Sequence, residues 1–238
     1  MTKKEITVRL DGGLETRPVA LLVQMASQFK SDVYVESENR RVNAKSIMGM
    51  MTLGLDAGAE VTVFDLSGEQ LAKDAQTAAR DGLTLRLEQG DMRDLRRFAD
   101  AAFDIILHPV SNQYVPDLRP VWSECARVLR RGGVLASSFF NPVVFVADRD
   151  PAFAAQGLIK PRFALPYSDL DDLTPAELAA KRERGEPMIF GHSLADQIGG
   201  QLAAGFVLAG YIEEMHPAPR FEIEKYAPSF IATRALRT

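Results

Sequence analysis

The chain has 238 residues, of which 46% are hydrophobic and 25% charged, and its formal net charge is −4. This length can bury one large core or two small ones. The mild acidity, without a Lys/Arg cluster, argues against nucleic-acid binding, and no apolar run is long enough to span a membrane. The N-terminus lacks the apolar run of a signal peptide. We therefore expect a cytoplasmic protein that binds neither nucleic acid nor membrane.

The first 60 residues alternate short strands and helices. Their apolar spacing and turn residues predict, in chain order, a strand (5–10), a helix (16–29), a hairpin of two strands (32–37 and 40–44), a short helix (47–53) and a strand (60–64). This β-α-β-β-α-β order is typical of a compact α+β sandwich.

From residue 60 onward, strands and helices alternate as in a parallel sheet with covering helices. The predicted elements are a helix (67–82), strands (83–92 and 103–109), a helix (119–133), a strand (134–140), two helices (174–186 and 193–206) and an antiparallel pair (207–216 and 229–236). The strand "FDIILHP" has the pattern of a buried strand. Cys125, the single cysteine, lies on the apolar side of its helix, which predicts a buried structural thiol.

Several stretches before residue 64 resemble the phosphocarrier protein HPr of the bacterial sugar phosphotransferase system. They are "GLETRPVALLVQMASQF", "DVYVES" and "VNAKSIMGMMTLGLDAGAEVTV". The resemblance implies an HPr-like segment at residues 1–63. Glu15 stands where HPr has its phosphorylated histidine. A carboxylate cannot form the phosphoimidazole of the relay, so we expect no phosphocarrier activity.

The catabolite-repression variant of HPr, Crh, also lacks that histidine. The resemblance implies that Ser46 is phosphorylated by a dedicated kinase and that the product binds a regulatory protein partner. A phosphate on Ser46 would lie at a helix N-terminus, which is electrostatically favourable. Arg17, Ile47, Met48 and Met51 are then the partner-binding residues. The alternative is that Ser46 only caps its helix.

Residues 58–238 resemble a class I S-adenosyl-L-methionine-dependent methyltransferase. The stretches are "GAEVTVFDLSGEQL", "GLTLRLEQGDMRDL", "FADAAFDIILHPVSNQYVPD", "VWSECARVLRRGGVLASSF" and "GHSLADQIGGQL". The resemblance implies S-adenosyl-L-methionine as cofactor. Asp65, with Leu66 beside it, would accept hydrogen bonds from the ribose hydroxyls, while Asp91 and Met92 would contact the adenine. His108 would contact the cofactor at the next strand end.

Three polar residues are candidates for the chemistry of a small-molecule methyl acceptor. His108 and Asn112 belong to "HPVSN", where cofactor and acceptor meet in this family, and His192 precedes the helix predicted at 193–206. Both histidines are candidate catalytic residues, and no metal site is predicted. The alternatives are structural: Asp65 only caps a helix or is a solvated charge, His108 only bonds to a backbone carbonyl, and His192 simply precedes its helix.

The chain departs from the methyltransferase pattern in one respect. The family's first strand and its glycine-rich loop are absent, and "TLGLDAGAE" is no substitute. The resemblance therefore implies weak cofactor binding and methyl transfer that is impaired or absent. An engineered or recombinant chimera without activity is a further alternative.

The predicted fold is α/β, with an HPr-like β-α-β-β-α-β segment joined to a partial Rossmann-like methyltransferase sheet. The strand-helix unit at 60–82 fits both the HPr-like fold and the methyltransferase fold. Either residues 1–82 close as an HPr-like sandwich, or the strand stays with the methyltransferase sheet and the earlier elements pack beside it. We expect a joined architecture in which the unit at 60–82 is common to both parts and connects them.

Overall fold

The computed structural model describes residues 34–37, 40–43, 62–80 and 85–238. The chain divides into two compact units, residues 1–60 and 61–238. In the first, strands β1 (Tyr34–Ser37) and β2 (Arg40–Asn43) pair antiparallel, which confirms the predicted hairpin. The other elements predicted before residue 60 lie outside the described residues. So do the proposed regulatory residues: Arg17, Ser46, Ile47, Met48 and Met51.

The second unit begins with a parallel β-α-β arrangement. Strand β3 (Thr62–Asp65), helix α1 (Gly68–Arg80) and strand β4 (Arg86–Gln89) follow one another, and β3 pairs with β4 in parallel. Ser67 Oγ accepts a hydrogen bond from the Gln70 N–H (3.2 Å), so Ser67 caps α1 as its position predicts.

A four-stranded sheet forms the centre of this unit. Its strands, in spatial order, are β5 (Phe103–Pro109), β6 (Leu129–Phe140), β10 (Phe230–Arg237) and β9 (Phe206–Glu214). β5 and β6 are parallel and are joined by helix α2 (Arg119–Val128), whereas β10 is antiparallel to both of its neighbours. The parallel strands and the closing antiparallel pair confirm the α/β prediction.

The remaining elements are short. They are α3 (Pro151–Ala155), β7 (Tyr167–Ser168), α4 (Asp169–Asp172), α5 (Pro175–Glu183), β8 (Phe190–Gly191), a π-helix (Ala195–Gly199), α6 (Gly200–Ala203) and three 3-10 helices (Asn112–Tyr114, Pro142–Phe145 and Glu222–Lys225). β7 and β8 pair antiparallel. Thr174 and Glu177 form a capping box at the start of α5, where a helix was predicted.

The helix predicted at 119–133 is five residues too long. α2 ends at Val128, and β6 already begins at Leu129, which pairs with Phe103. The next β5–β6 pair joins Ile105 to Val134, so residues 130–133 form a bulge in β6. Gly132 has φ +76 there, a conformation that glycine adopts at low cost. Gly132 and its neighbour Gly133, both within residues 130–133, therefore mark a bulge in a strand.

The predicted burial of β5 is only partly correct. Asp104 and Ile105 are exposed, Ile105 to 45%. β6 pairs with one edge of β5, and within the described ranges no strand pairs with its other edge. An apolar run alone could not reveal this, because a buried strand requires neighbours on both sides.

The core between sheet and helices is centred on Trp122, which is fully buried with Leu129, Leu135, Phe206 and Ala235. Cys125 belongs to the same cluster, and burial raises the pKa of its thiol to about 12, as expected of a structural cysteine. In the described part of the chain, no helix is both long and apolar enough to cross a membrane. The same residues contain no group of three His, Cys, Asp or Glu placed to hold a metal ion.

Candidate active site

The carboxyl ends of β3 and β4 bring Asp65, Leu66 and Asp91 to one edge. The Gly90 N–H donates to the Asp65 carbonyl (3.0 Å), and the Gln89 side-chain amide donates to the Leu66 carbonyl (3.0 Å). Asp65 Oδ1 accepts from the Ser67 N–H at 2.7 Å. The pairing of β3 with β4 therefore places Asp65 and Asp91 at the same edge, and Asp65 also orders the start of α1.

Arg93 holds the side chain of Asp91. Its Nε and Nη2 donate to the two carboxylate oxygens at 3.0 and 2.6 Å, and these hydrogen bonds lower the pKa of Asp91. Met92 is half-buried and packs against the core around Trp122. The sequence analysis did not consider Arg93, although the Asp-x-Arg spacing in "GDMRDL" is a recognisable signal for this ion pair.

His108 lies on β5 and is buried at 8% exposure. Its Nε2 bonds to Asn112 Oδ1, and its ring contacts Trp122 edge-on, with the centroids 5.6 Å apart. Burial lowers the pKa of His108, so the ring is neutral near neutral pH. The hydrogen bond to Asn112 therefore links the neutral ring of His108 to the rest of the site.

Asn112 connects β5 to the π-helix. Its Nδ2 donates to Gln197 Oε1 (2.6 Å), which leaves Oδ1 as the acceptor for the Nε2–H of His108. The π-helix is fixed to α2 because Trp122 Nε1 donates to the Asp196 carbonyl (3.0 Å). Turns of this kind are frequent at functional sites, since the extra residue redirects a side chain. Here the buried side chain is that of Gln197.

His192 follows β8 and is held by two backbone carbonyls. Its Nε2 lies 2.8 Å from the Val115 oxygen and 3.1 Å from the Asn112 oxygen. Both partners can only accept, so Nε2 carries a proton. Nδ1 has no hydrogen-bond partner among the described residues. The two carbonyls therefore fix the orientation of the ring and leave Nδ1 available to a ligand.

A cavity lies beside Asn112, His192 and Gln197. It is small, with room for about one water molecule. Its remaining lining residues are Val110, Gln113, Phe139, Phe140, Phe145 and Phe190. Val110 has φ +43, which is strained for a β-branched residue, and such strain is concentrated at functional sites. Gly191 permits the packing, because a Cβ there would lie 2.6 Å from the Phe145 ring.

The structure thus brings together His108, Asn112 and His192, all three predicted from the sequence as polar candidates. It places Asp65, Leu66 and Asp91 on the other, two-stranded sheet. Gln197 and the four phenylalanines of the cavity were missed. Gln197 stands in an otherwise helical, partly apolar stretch, and that polar residue at a buried position is the signal that could have identified it.

Two family models match this sequence. One, described as the PTS HPr component phosphorylation site, matches residues 2–80, and the other, described as a methyltransferase domain, matches residues 47–137. The two matches overlap at residues 47–80, which include most of the unit predicted to be shared.

Curated relatives correspond to the same two parts, and a solved structure shares the fold of the methyltransferase part. The uncharacterized methyltransferase YbaJ of Bacillus subtilis (strain 168) is 44% identical over 181 residues, which cover 76% of this chain and 69% of YbaJ. The HPr-like protein Crh of the same organism is 51% identical over 64 residues, covering 27% of this chain and 75% of Crh. An S-adenosylmethionine-dependent methyltransferase from Mesorhizobium loti shares the fold, with a TM-score of 0.55 at 20% identity over 75% of this chain and 80% of that chain. The chain therefore belongs to the methyltransferase family, with a segment of the HPr family fused at its N-terminal end.

Proposed function

We propose that this chain transfers a methyl group from S-adenosyl-L-methionine to a small molecule, more slowly than family members that have the glycine-rich loop. The observation that carries the proposal is that Asp65 and Asp91 lie at the carboxyl ends of the parallel strands β3 and β4, in a chain of this family. In open α/β sheets, ligands bind outside the carboxyl ends of the strands. The ends of β3, β4 and β5 meet this rule.

The residues at the ends of β3 and β4 fit the cofactor in part. Leu66 is 66% exposed, and Asp65 next to it has a carboxylate that can accept from both ribose hydroxyls in addition to the Ser67 N–H. We assign Asp91 and Met92 to the adenine side, with Asp91 held in place by Arg93. His108 lies at the end of β5, where its Nε2 bonds to Asn112, and we assign it to the cofactor at that strand end.

Cofactor affinity is reduced in this proposal because the glycine-rich loop is missing from the sequence. The geometry of β5 supports the same conclusion. Ile105 is exposed on that strand, and no strand within the described ranges pairs with its outer edge. A binding site without a strand and loop on one side makes fewer contacts with its ligand and orders that ligand less well.

Between the two candidate histidines, the geometry favours His192 as the base. S-adenosyl-L-methionine, when bound, supplies an electrophilic methyl group, so the chain has to align the acceptor and take up its proton. The Nε2–H of His108 is engaged with Asn112 inside the core. His192 lines the cavity and presents a free Nδ1, while the carbonyls of Asn112 and Val115 keep its ring in one orientation.

Calorimetric titration with S-adenosyl-L-methionine and its demethylated product tests this proposal. We expect weak but saturable binding that Asp65→Ala abolishes and Asp65→Asn weakens, because Asn keeps the acceptor for the Ser67 N–H but lacks the charge. Asp171→Ala, which removes an exposed carboxylate elsewhere, is the matched control. Absence of binding near millimolar concentrations would contradict the proposal and favour a chimera without activity.

A second function is supported by the HPr-like segment. Its 51% identity to Crh favours a regulatory role in which Ser46 is phosphorylated and Arg17, Ile47, Met48 and Met51 bind a protein partner. Both functions assign the chain to the cytoplasm. Incubation with the kinase specific for HPr-type serines should label the wild type but not Ser46→Ala. A wild type that takes up no phosphate would end this second proposal.

A further inference from the structure

Strand β9 forms one edge of the four-stranded sheet. It pairs with β10 on one side, and within the described ranges no strand pairs with its other side. Val207 and Tyr211 are about half exposed there. The strand contains neither lysine nor proline, two residues that commonly prevent pairing at an edge. Its outward N–H and C=O groups are therefore available to another strand.

A β-bulge divides this edge into two parts. Leu208 and Gly210 pair with consecutive residues of β10, so Ala209 is the extra residue between them. Beyond the bulge, residues 210–214 pair with residues 230–234 without interruption. A bulge bends its strand and disturbs the pairing beside it. The regular edge that a further strand could join is therefore the segment 210–214.

Side chains in this segment alternate between the two faces of the sheet. Gly210, Ile212 and Glu214 share one face, and the two residues between them point to the other. Arg234 pairs with Gly210, and directly opposed residues point to the same face, so Arg234 also lies on the face of Glu214.

Arg234 and Glu214 carry opposite charges that have no partner among the described residues. Glu214 pairs with Phe230, four positions from Arg234 on β10, which separates the two charged residues by about 13 Å along the strand. Burial raises the pKa of the Glu214 carboxyl, and no neighbouring cation opposes this effect. A half-buried carboxylate without a cation is unfavourable, so a positive charge supplied from outside the chain would stabilise it.

We propose that a second copy of this chain pairs with β9 edge to edge and antiparallel, with the two-fold axis at Ile212. In this register Gly210 lies opposite Glu214 of the second copy, and Ile212 lies opposite Ile212 of the second copy. The symmetry produces each contact twice. The two four-stranded sheets then form one continuous sheet, and the open edge of β9 is closed in both copies.

Charge complementarity selects this register. Arg234, Gly210 and Glu214 of the second copy lie side by side on three neighbouring strands and on the same face. Adjacent strands are about 4.8 Å apart, so the charged residues are about 10 Å apart, and their extended side chains can meet across Gly210. Gly210 has no side chain between them, and a Cβ there would lie 3.3 Å from the Arg234 Cβ. An axis one residue earlier would place Ile212 opposite Gly210 and leave Arg234 without a carboxylate.

Sedimentation velocity of the full chain at increasing concentration measures the association. We expect a reversible monomer–dimer equilibrium with a dissociation constant on the order of 10 μM, because a short edge buries less area than a standard interface. A chain that remains monomeric up to about 1 mM would overturn the inference and leave the edge to a strand of another protein.

Charge reversal locates the interface. Glu214→Arg and Arg234→Glu each place like charges side by side, so each should weaken the dimer at least about tenfold. Arg131→Glu, which reverses an exposed charge on β6, is the matched control and should leave the dimer unchanged. If circular dichroism shows that a reversal does not fold, Glu214→Gln and Arg234→Gln replace it, and each should weaken the dimer about threefold. A dimer that none of these folded variants weakens would contradict the inference.

A mixture of the two reversed variants tests the pairing between copies directly. When Glu214→Arg meets Arg234→Glu, each charge faces an opposite one across the axis. We therefore expect a heterodimer whose dissociation constant lies within about threefold of the wild-type value. Misfolding cannot produce this result, because mixing does not repair a fold. Folded variants that remain monomeric in the mixture would overturn the inference.

Discussion

The carboxyl ends of the parallel strands form two groups that are built differently. At β3 and β4, Asp65 and Asp91 bond to residues only two positions away, Ser67 and Arg93. At β5, Asn112 bonds to Gln197, 85 positions later in the chain. The first group is thus organised by local sequence, and the second by tertiary packing of distant segments.

This difference determines how each group responds to substitution. The local bonds at β3 and β4 are exposed, and exposed interactions contribute little because water competes for the same groups. The bonds of Asn112 to His108 and Gln197 are buried, so a lost partner leaves an unpaired polar group without water. We therefore expect large effects at the end of β5 and small ones at the ends of β3 and β4.

Asn112→Ala is expected to have the largest effect. It removes two buried hydrogen bonds, leaves Gln197 Oε1 unpaired and leaves His108 Nε2–H with only the 3.4 Å contact to Ser111 Oγ. We expect this to lower the free energy of unfolding by about 2–4 kcal/mol. Urea unfolding followed by circular dichroism measures this. Gln113→Ala is the control, because the Gln113 side chain makes one weak bond, 3.5 Å long, to the Val110 carbonyl. Equal losses in the two variants would contradict the importance of the buried network.

Gly200→Ala should lower the free energy of unfolding by about 1–3 kcal/mol, the usual cost of overpacking a core. A Cβ at this position would lie 2.5 Å from Cδ1 of the buried Trp122. Gly199→Ala is the matched control, since a Cβ there meets nothing within 4 Å and the backbone is helical, with φ −60. The control should raise the free energy of unfolding by about 0.5–1 kcal/mol. Thermal unfolding of both variants checks the difference, and similar shifts would contradict the close packing of Gly200 on Trp122.

The same contrast explains what the sequence could predict. The positions of Asp65, Asp91 and Ser67 could be predicted, because the pattern of neighbouring residues indicates both a strand end and a helix cap. His192 could be chosen only as one of three histidines. The orientation of its ring depends on carbonyls 77 and 80 positions away, which no local pattern contains. The outer edge of β5 and the end of α2 at Val128 likewise depend on strand pairing.

The buried end of β5 should also respond to pH. Burial lowers the pKa of His108 in the folded state, so the neutral ring contributes its full stability above the unfolded pKa near 6.5. That stability is lost as the pH falls from there toward the folded-state pKa, at no more than about 1.4 kcal/mol per pH unit. Unfolding from pH 7.5 to 5.5 should therefore show a slope that His108→Gln reduces and His216→Gln leaves in place. The same slope in the wild type and in His108→Gln would contradict a neutral, buried His108.

The smallest effect is expected at the end of β3. Ser67→Ala removes the cap on α1, a single exposed hydrogen bond, and should lower the free energy of unfolding by about 0.5–1 kcal/mol. Ser67→Thr keeps a hydroxyl at the cap and should lose less, as urea unfolding of both variants can show. A loss as large as that of Asn112→Ala would mean that the β3 end depends on tertiary packing as well. The distinction between a locally organised and a packed strand end would then fail, because exposure would no longer predict which hydrogen bonds the fold depends on.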